Sequence, residues 1–246
     1  MYQFFVEPGQ IQDKRAVITG SDVNHIKNVL RMRQGEELSL SNGADGKEYH
    51  CKIEEILEDS VVCSLHLVKE SGAELSARVY LFQGLPKADK MELIIQKAVE
   101  LGVHEIIPVA AKRAVVKLDA KKEKSKLARW QSIAEAAAKQ SKRCIIPKIT
   151  EVLNFAEAVK RAETMEVRMI PYELAEGMKK TKSLIEGIVP GQSVAVFIGP
   201  EGGFAPEEIE SAMSAGIEPV TLGKRILRTE TAGFTVLSFI MYQMEE

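Results

Sequence analysis

Residues 194–204 read VAVFIGPEGGF. An unbroken apolar run, Val194 to Ile198, is the mark of a strand covered on both faces, as in a parallel sheet. It runs straight into Gly199-Pro200-Glu201-Gly202-Gly203. A helix follows over Pro206–Ala215, with Pro206 near its first position, Glu207 and Glu208 in its first turn, and Gly216 beyond its end. In an α/β sheet, ligands bind outside the carboxyl ends of the strands. Glycines there admit a ligand close to the backbone, and Pro200 stiffens the turn. The stretch is neither GxGxxG nor a P-loop with its Lys-Ser/Thr, so a dinucleotide or triphosphate site is poorly supported. A plain tight strand–helix turn would account for the glycines taken alone.

The same rhythm extends to both sides. Val79–Phe82, Glu105–Val109, Val167–Ile170 and Glu218–Leu222 read as strands. Lys90–Leu101 reads as a helix with Met91, Ile94, Ile95, Ala98 and Leu101 on one face and Gly102 as its stop. Leu127–Gln140 and Thr231–Met244 read as further helices, the last strongly apolar. Alternating strands and helices predict a mostly parallel sheet with covering helices. A second glycine-bearing loop, TLGKRILRTETA at 221–232, follows the Glu218–Leu222 strand. Gly223 permits a sharp turn, Ile226 and Leu227 offer apolar cover, Arg225 and Arg228 are cations, and Thr229 and Thr231 can cap the last helix. If the two strands are neighbours, the two loops form one cleft of backbone amides and carbonyls with apolar lining, which suits an adenosine better than a phosphate. The plain alternative for Arg228 is a surface ion pair, for instance with Glu230.

Upstream, residues 1–72 read as a small β-rich barrel. Runs at Glu37–Ser41, Tyr49–Ile56 and Val61–Val68 are separated by Asn42-Gly43, Asp45-Gly46 and Glu58-Asp59-Ser60. One helix interrupts them, with Ser21 as its expected cap and Val23, Ile26, Val29 and Leu30 on one face. The domain boundary falls near Glu70–Glu74, where Ser71-Gly72 breaks the pattern, giving domains 1–72 and 73–246.

Composition narrows the function. Of 246 residues, 45% are hydrophobic and 28% charged, which is ordinary globular chemistry. No stretch approaches the roughly 18 apolar residues of a membrane span. The start, MYQFFVEPGQ, lacks a secretory pattern, and Cys51, Cys63 and Cys144 form no CxxC pair, which fits a reducing cytoplasm. His25, His50, His66 and His104 are scattered without ligand spacing, so no metal is expected. Without GxSxG, or a cysteine beside an evident base, nucleophilic catalysis has no support. The net charge is −2, yet Lys112–Arg143 carries 11 basic residues against Asp119, Glu123 and Glu135, a local +8. Such a stripe is either a phosphate-binding field or a solvated helix face.

Together these segments make the chain similar to the RsmE family, the 16S ribosomal RNA (uracil-N3) methyltransferases of the SPOUT superfamily. The resemblance rests on GLPKADKMELIIQKAVELGV at 84–103, RAVVKL at 113–118, EAAAKQSKR at 135–143, PYE at 171–173, IGPEGGF at 198–204 and LGKRILRTETA at 222–232. HIKNVLRM at 25–32 resembles part of the family's PUA-like RNA-binding barrel. Lys224 stands where the family usually has Pro, Lys142 where Gly is frequent, and Gln3 where an Arg is common.

The resemblance implies an S-adenosylmethionine (SAM) site in a trefoil-knotted C-terminal parallel sheet, a PUA-like barrel before it, and a cytoplasmic homodimer acting on 16S rRNA of the small ribosomal subunit. It places SAM against Tyr172 and Glu173, against Ile198, Gly199, Glu201, Gly202 and Gly203, and against Leu222, Gly223, Ile226, Leu227, Thr231 and Ala232. Arg228 is the expected catalytic cation. Glu201 is a candidate proton acceptor alongside Glu230 or water, and equally a structural residue of the loop. His25, Arg31, Arg33, Arg113, Lys117, Lys121, Lys122 and Arg143 are the expected RNA contacts. The competing readings are another SPOUT methylation of transfer RNA, on a base or a ribose 2′-oxygen, and a non-catalytic RNA-binding assembly factor.

Overall fold

The computed structural model of the chain describes residues 1–175 and 177–245. The chain divides into two compact units. The first holds Met1–Glu74 together with Ala138–Ile146; the second holds Leu75–Ala137 and the chain from Pro147 onward.

The first unit is a curled six-stranded sheet. Its strands are β1 (Gln3–Phe5), β2 (Ile11–Gln12), β3 (Arg15–Thr19), β4 (Glu37–Ser41), β5 (Lys47–Ile56) and β6 (Ser60–Glu70), in the order β1-β4-β5-β6-β3-β2. The expected barrel is thus an open half-barrel with β1 and β2 at its edges. All pairs in this sheet are antiparallel except β1 with β4. Alternation puts Ala16 and Ile18 of β3 inside with Leu38, Leu40, Ile53 and Val61, a core that the short helix caps with Val23 and Ile26.

That helix departs from expectation. Gly20, with φ of 74°, takes the cap position instead of Ser21, with no side-chain cap bond. A single turn, α1 (Ser21–Asn24), passes into a wider π-helical turn over His25–Val29. The wider turn rotates later side chains off the α-helical stripe, so Val29, expected on the buried face, is 62% exposed.

Ala138–Ile146 joins this unit through an ion pair between buried Arg143 and half-buried Glu74. Glu74 accepts from Arg143 Nε at 3.0 Å and Nη2 at 2.5 Å, and from the backbone amides of Cys144 and Ile145, each at 3.1 Å. The Ser41 hydroxyl donates to the Cys144 carbonyl at 2.7 Å, and Gly43 bridges Ile145. Gln3, in place of a more basic residue, donates its side-chain amide to the Arg143 carbonyl at 3.0 Å. A single cut near Glu70–Glu74 therefore omits residues 138–146, which fold with the first unit.

The second unit is an all-parallel sheet covered by helices. Its strands are β7 (Arg78–Gly84), β8 (Glu105–Ala110), β9 (Lys148–Ile149), β10 (Leu153–Asn154), β11 (Val167–Pro171), β12 (Ser193–Ile198) and β13 (Glu218–Val220). The order is β10-β8-β7-β12-β11-β13, with β9 also paired to β8. Every residue of central β12 is buried, as its apolar run predicts. Phe82 of β7 lies opposite Phe197 of β12 in register, the rings stacked 4.3 Å apart.

The helices are α2 (Lys90–Glu100), α3 (Ala120–Ser141), α4 (Phe155–Ala162), α5 (Met178–Glu186), α6 (Pro206–Ser214) and α7 (Thr229–Met244). The α3 helix starts well before the expected Leu127, where Asp119 accepts from the Lys122 amide at 2.9 Å and so caps the first turn. The α4 helix and its Asn154/Glu157 capping box, α5, and the short strands β1, β2, β3, β9 and β10 escaped the sequence reading.

Candidate cofactor and active site

The strands β12 and β13 are not neighbours, because β11 lies between them. Their loops still meet. The chain leaving β13 returns to the carboxyl end of β12, where Thr229, first residue of α7, donates its hydroxyl to the Gly199 carbonyl at 2.6 Å. The α7 helix then packs against α2, α5 and β12. A cavity of about 520 Å³ opens between the loops, within the size range of small-molecule sites.

Nearly all of the expected cofactor residues line it: Tyr172, Glu173, Ile198, Gly199, Glu201, Gly202, Gly203, Leu222, Gly223, Ile226, Leu227 and Ala232. The exception is Thr231, which is exposed on α7, with its carbonyl accepting from the Thr235 hydroxyl at 2.8 Å. The expected catalytic cation, Arg228, lines the cavity, as does Arg113, expected as an RNA contact. Buried Ile198, Phe204 and Ile209 supply apolar floor. Gly203 and Gly223 hold positive φ, 66° and 117°, with open space where a side chain would begin. Bare backbone thus faces the cavity at both loops, and an adenosine and amino-acid moiety fits this lining of amides, carbonyls and aliphatic side chains.

Two networks fix the loops. In the first, fully buried Gln83 at the end of β7 donates its side-chain amide to Thr229 Oγ1 at 3.0 Å and to the Gly84 carbonyl at 2.9 Å, while Thr229 holds Gly199. Thr229, expected only as a helix cap, is instead the pin between α7 and the first glycine loop. Thr229→Val keeps the shape and removes the hydroxyl, leaving the Gly199 carbonyl without this partner. The expected result is about tenfold weaker SAM binding by calorimetry, restored by Thr229→Ser, since orphaning one buried hydrogen-bonding group costs roughly 1–3 kcal/mol. Equal affinity for the Val and Ser variants would remove the pin.

In the second network, Glu201 accepts from the Lys87 amide at 3.1 Å and from Lys90 Nζ at 3.1 Å, and Lys90 also lies 3.4 Å from Glu230. Burial pushes the Glu201 carboxyl up, but the bonds from its own amide, Lys90 and Lys87 outweigh this and hold it below the usual carboxylate range. A group whose folded pKa is depressed stabilises above its unfolded value and loses that stabilisation as pH falls. At neutral pH Glu201 is therefore an ionised brace between α2 and the glycine loop. The bonds to the Lys87 amide and Lys90 make Glu201 a brace of the glycine loop. Lys90 belongs to the site and was overlooked, although it lies inside the GLPKADKMEL motif.

Among the expected RNA contacts, His25, Arg31, Arg33, Arg113, Lys117, Lys121 and Lys122 are exposed. Arg143 is not: it is 2% exposed and committed to Glu74, so it is a structural residue of the first unit. Arg113 donates to the Gly202 carbonyl at 3.2 Å and so also braces the glycine loop. Beyond Arg143, much of the local +8 is compensated by acids, most of them outside the segment. Lys112 pairs with Glu207, Lys122 with Asp119, Lys126 with Asp89, Arg129 with Glu92 and Lys139 with Asp22.

Comparison with known proteins agrees with this arrangement. Residues 73–241 match the family profile described as an RNA methyltransferase domain, and residues 18–65 match an RNA methyltransferase PUA domain. The chain is 38% identical to ribosomal RNA small subunit methyltransferase E of Bacillus subtilis (strain 168), covering 100% of this chain and 98% of that protein. It is 34% identical to the protein of the same name from Mesomycoplasma hyopneumoniae (strain 232), covering 97% and 98%. The structure superimposes on that of the putative methyltransferase Lpg2936 from Legionella pneumophila in complex with SAM, with a TM-score of 0.83, 33% identity and coverage of 98% and 96%. It also superimposes on ribosomal RNA small subunit methyltransferase E from Neisseria gonorrhoeae bound to S-adenosyl methionine, with a TM-score of 0.82, 29% identity and coverage of 96% and 95%.

Proposed function

The chain belongs to the RNA methyltransferase family, and on that footing we propose that it transfers a methyl group from SAM to N3 of a uridine in the small-subunit ribosomal RNA. The observation that carries this reading is the convergence of two glycine loops on one cavity in a chain that matches such enzymes end to end. Bound SAM supplies a methyl group already activated by its sulfonium. Backbone groups of 199–203 and 221–223 would hold the nucleoside and amino-acid parts, with Ile198, Leu222, Leu227 and Ala232 beside them.

The protein's own task is to orient the acceptor and to handle its proton. Uracil N3 carries a weakly acidic hydrogen, so the acceptor becomes anionic as that hydrogen leaves. Arg228 sits at the cavity mouth, at the N-cap of α7, where the helix terminus adds positive potential. A cation there stabilises the developing uracil anion. Glu201, held ionised by Lys90, is engaged as a brace, and the proton passes to solvent in this reading. The knot follows from the same family resemblance, and the return of the chain from β13 to Gly199 supports it.

The test is to incubate the protein with unmethylated small ribosomal subunits and labelled SAM, then identify the modified nucleoside by mass spectrometry. 3-Methyluridine is expected. A methylated ribose, a methylated guanine or no label at all would replace this reading with one of its competitors.

Two further assignments belong to the reading. No helix among the described residues is long and apolar enough to cross a membrane, and the cytoplasm is the compartment where a ribosomal substrate is met. We also propose a homodimer built on α7, which buries Val236, Leu237 and Ile240 in its own unit yet leaves Phe239 and Tyr242 exposed, the latter by 84%. Light scattering should give twice the chain mass at micromolar concentration. A fully active monomer would sink the assignment.

A further inference from the structure

We infer that the exposed rim of the cavity, Lys224-Arg225-Ile226, is the docking surface for the strand of substrate RNA that carries the target base. The inference rests on the methyltransferase reading and adds a surface to it. Ile226 is 86% exposed, the most exposed of the large hydrophobic residues described, although sequence placed it against the cofactor. An isoleucine so bare lines the cavity only at its outer edge; most of its apolar surface faces outward and awaits a partner. Lys224 and Arg225, its neighbours, are exposed and have no ion-pair partner among the described residues.

The rim differs from the paired cations of the basic stripe and of the inner cavity. Much of the basic stripe at 112–143 is neutralised by acids. The cavity's own inner cation, Lys90, is tied to Glu201 and Glu230. At the mouth, positive charge stands uncompensated beside an apolar side chain. That combination matches a single RNA strand: cations for the phosphates and an apolar surface for an unstacked base. A second copy of the chain is a poorer occupant, because uncompensated charge of one sign facing its own image would repel.

The experiment uses the full chain with SAM and unmethylated small ribosomal subunits. The variants are Lys224→Gln/Arg225→Gln and Ile226→Ser. In the double variant, subunit binding should weaken at least about tenfold near 0.1 M salt. The log–log salt slope should flatten by about 1.4, since each phosphate contact on a single strand contributes roughly 0.7. Ile226→Ser should lower kcat/KM for subunits about tenfold with the salt slope unchanged. SAM affinity, measured by calorimetry without subunits, should stay within about twofold in the double variant.

Three outcomes overturn the inference: unchanged subunit binding in the double variant; loss of SAM affinity in Ile226→Ser, which would return that residue to the cofactor; or dissociation of a dimer by Ile226→Ser with subunit binding intact. Failure of the function reading looks different. Wild-type protein would then put no label into subunits, while rim substitutions would still weaken binding if the rim is the RNA surface.

Discussion

Gly84→Ala is expected to abolish measurable SAM binding, a loss of at least about a hundredfold, with methyl transfer falling in parallel. Gly84 ends β7, paired with Val109 of β8, and the first glycine loop lies directly over it. A Cβ on Gly84 would stand 2.5 Å from Pro200 Cδ, 2.7 Å from Pro200 N and 3.1 Å from the Gly199 carbonyl carbon. Those are a proline ring and backbone, which have no rotamer to yield. Either β7 or the loop must move, and both are fixed by the Gln83–Thr229–Gly199 chain of hydrogen bonds. Since bound-state geometry has to be held within about half an ångström, the cavity is the part that gives way. Overpacking of this kind also costs about 1–3 kcal/mol of stability, so thermal unfolding must be recorded beside calorimetry. Gly202→Ala is the milder comparison. Its Cβ would meet Arg113 Cβ at 3.3 Å and the Arg113 carbonyl oxygen at 3.4 Å, contacts that a shift of a few tenths of an ångström relieves, so its loss of SAM affinity should be the smaller of the two. Gly84→Ala with wild-type SAM affinity would mean that the loop is free to shift and that the cavity shape is not set there.

Gly84 also illustrates what sequence makes legible. It stands inside a motif whose family match was plain, yet no local pattern reports that a loop far downstream rests on it. Local signals served well where burial alone decides structure. The apolar run of β12, the face of α2 and the Pro206 start of α6 are where patterning places them. The loops at 198–203 and 221–228 were legible as a pair because each follows a strand directly, at the carboxyl edge where a parallel sheet binds its ligands.

What escaped was settled by partners distant in sequence. Arg143 reads as a surface cation in a basic stripe and becomes buried only because Glu74 meets it. Glu201 reads as either a possible base or a structural residue, and its part as a brace shows only once Lys90 and the Lys87 amide converge on it. Ile226 reads as apolar cover, and its exposure is known only once the loop has a shape. Thr229 carried a signal that could have been used. A threonine directly after the Arg228 cap position sits at the first helical residue, where a hydroxyl is not needed for capping and is free to bond elsewhere.

Arg228→Ala should lower kcat by about 10²- to 10³-fold, the range seen when one preorganised donor to a developing anion is removed. Three features make this substitution a clean probe. Arg228 is exposed and has no ion-pair partner among the described residues, so no buried charge is orphaned. It occupies the N-cap of α7 without a side-chain cap bond, so alanine costs the helix no hydrogen bond there. Its backbone carbonyl still accepts from the Ala232 amide at 2.8 Å, which keeps the first turn of the helix closed. Folding and SAM affinity should therefore be retained. Subunit affinity should change little, because a group acting on charge that appears only during transfer contributes to the transition state and not to the ground-state complex. This separates it from Lys224 and Arg225, one helical turn's length upstream, whose loss should act on binding and its salt slope. Single-turnover transfer at saturating subunits reads the difference directly. If Arg228→Ala weakened subunit binding and turned over normally at saturation, the guanidinium would be a phosphate contact continuous with the rim, and stabilisation of the uracil anion would have to come from backbone donors at the start of α7.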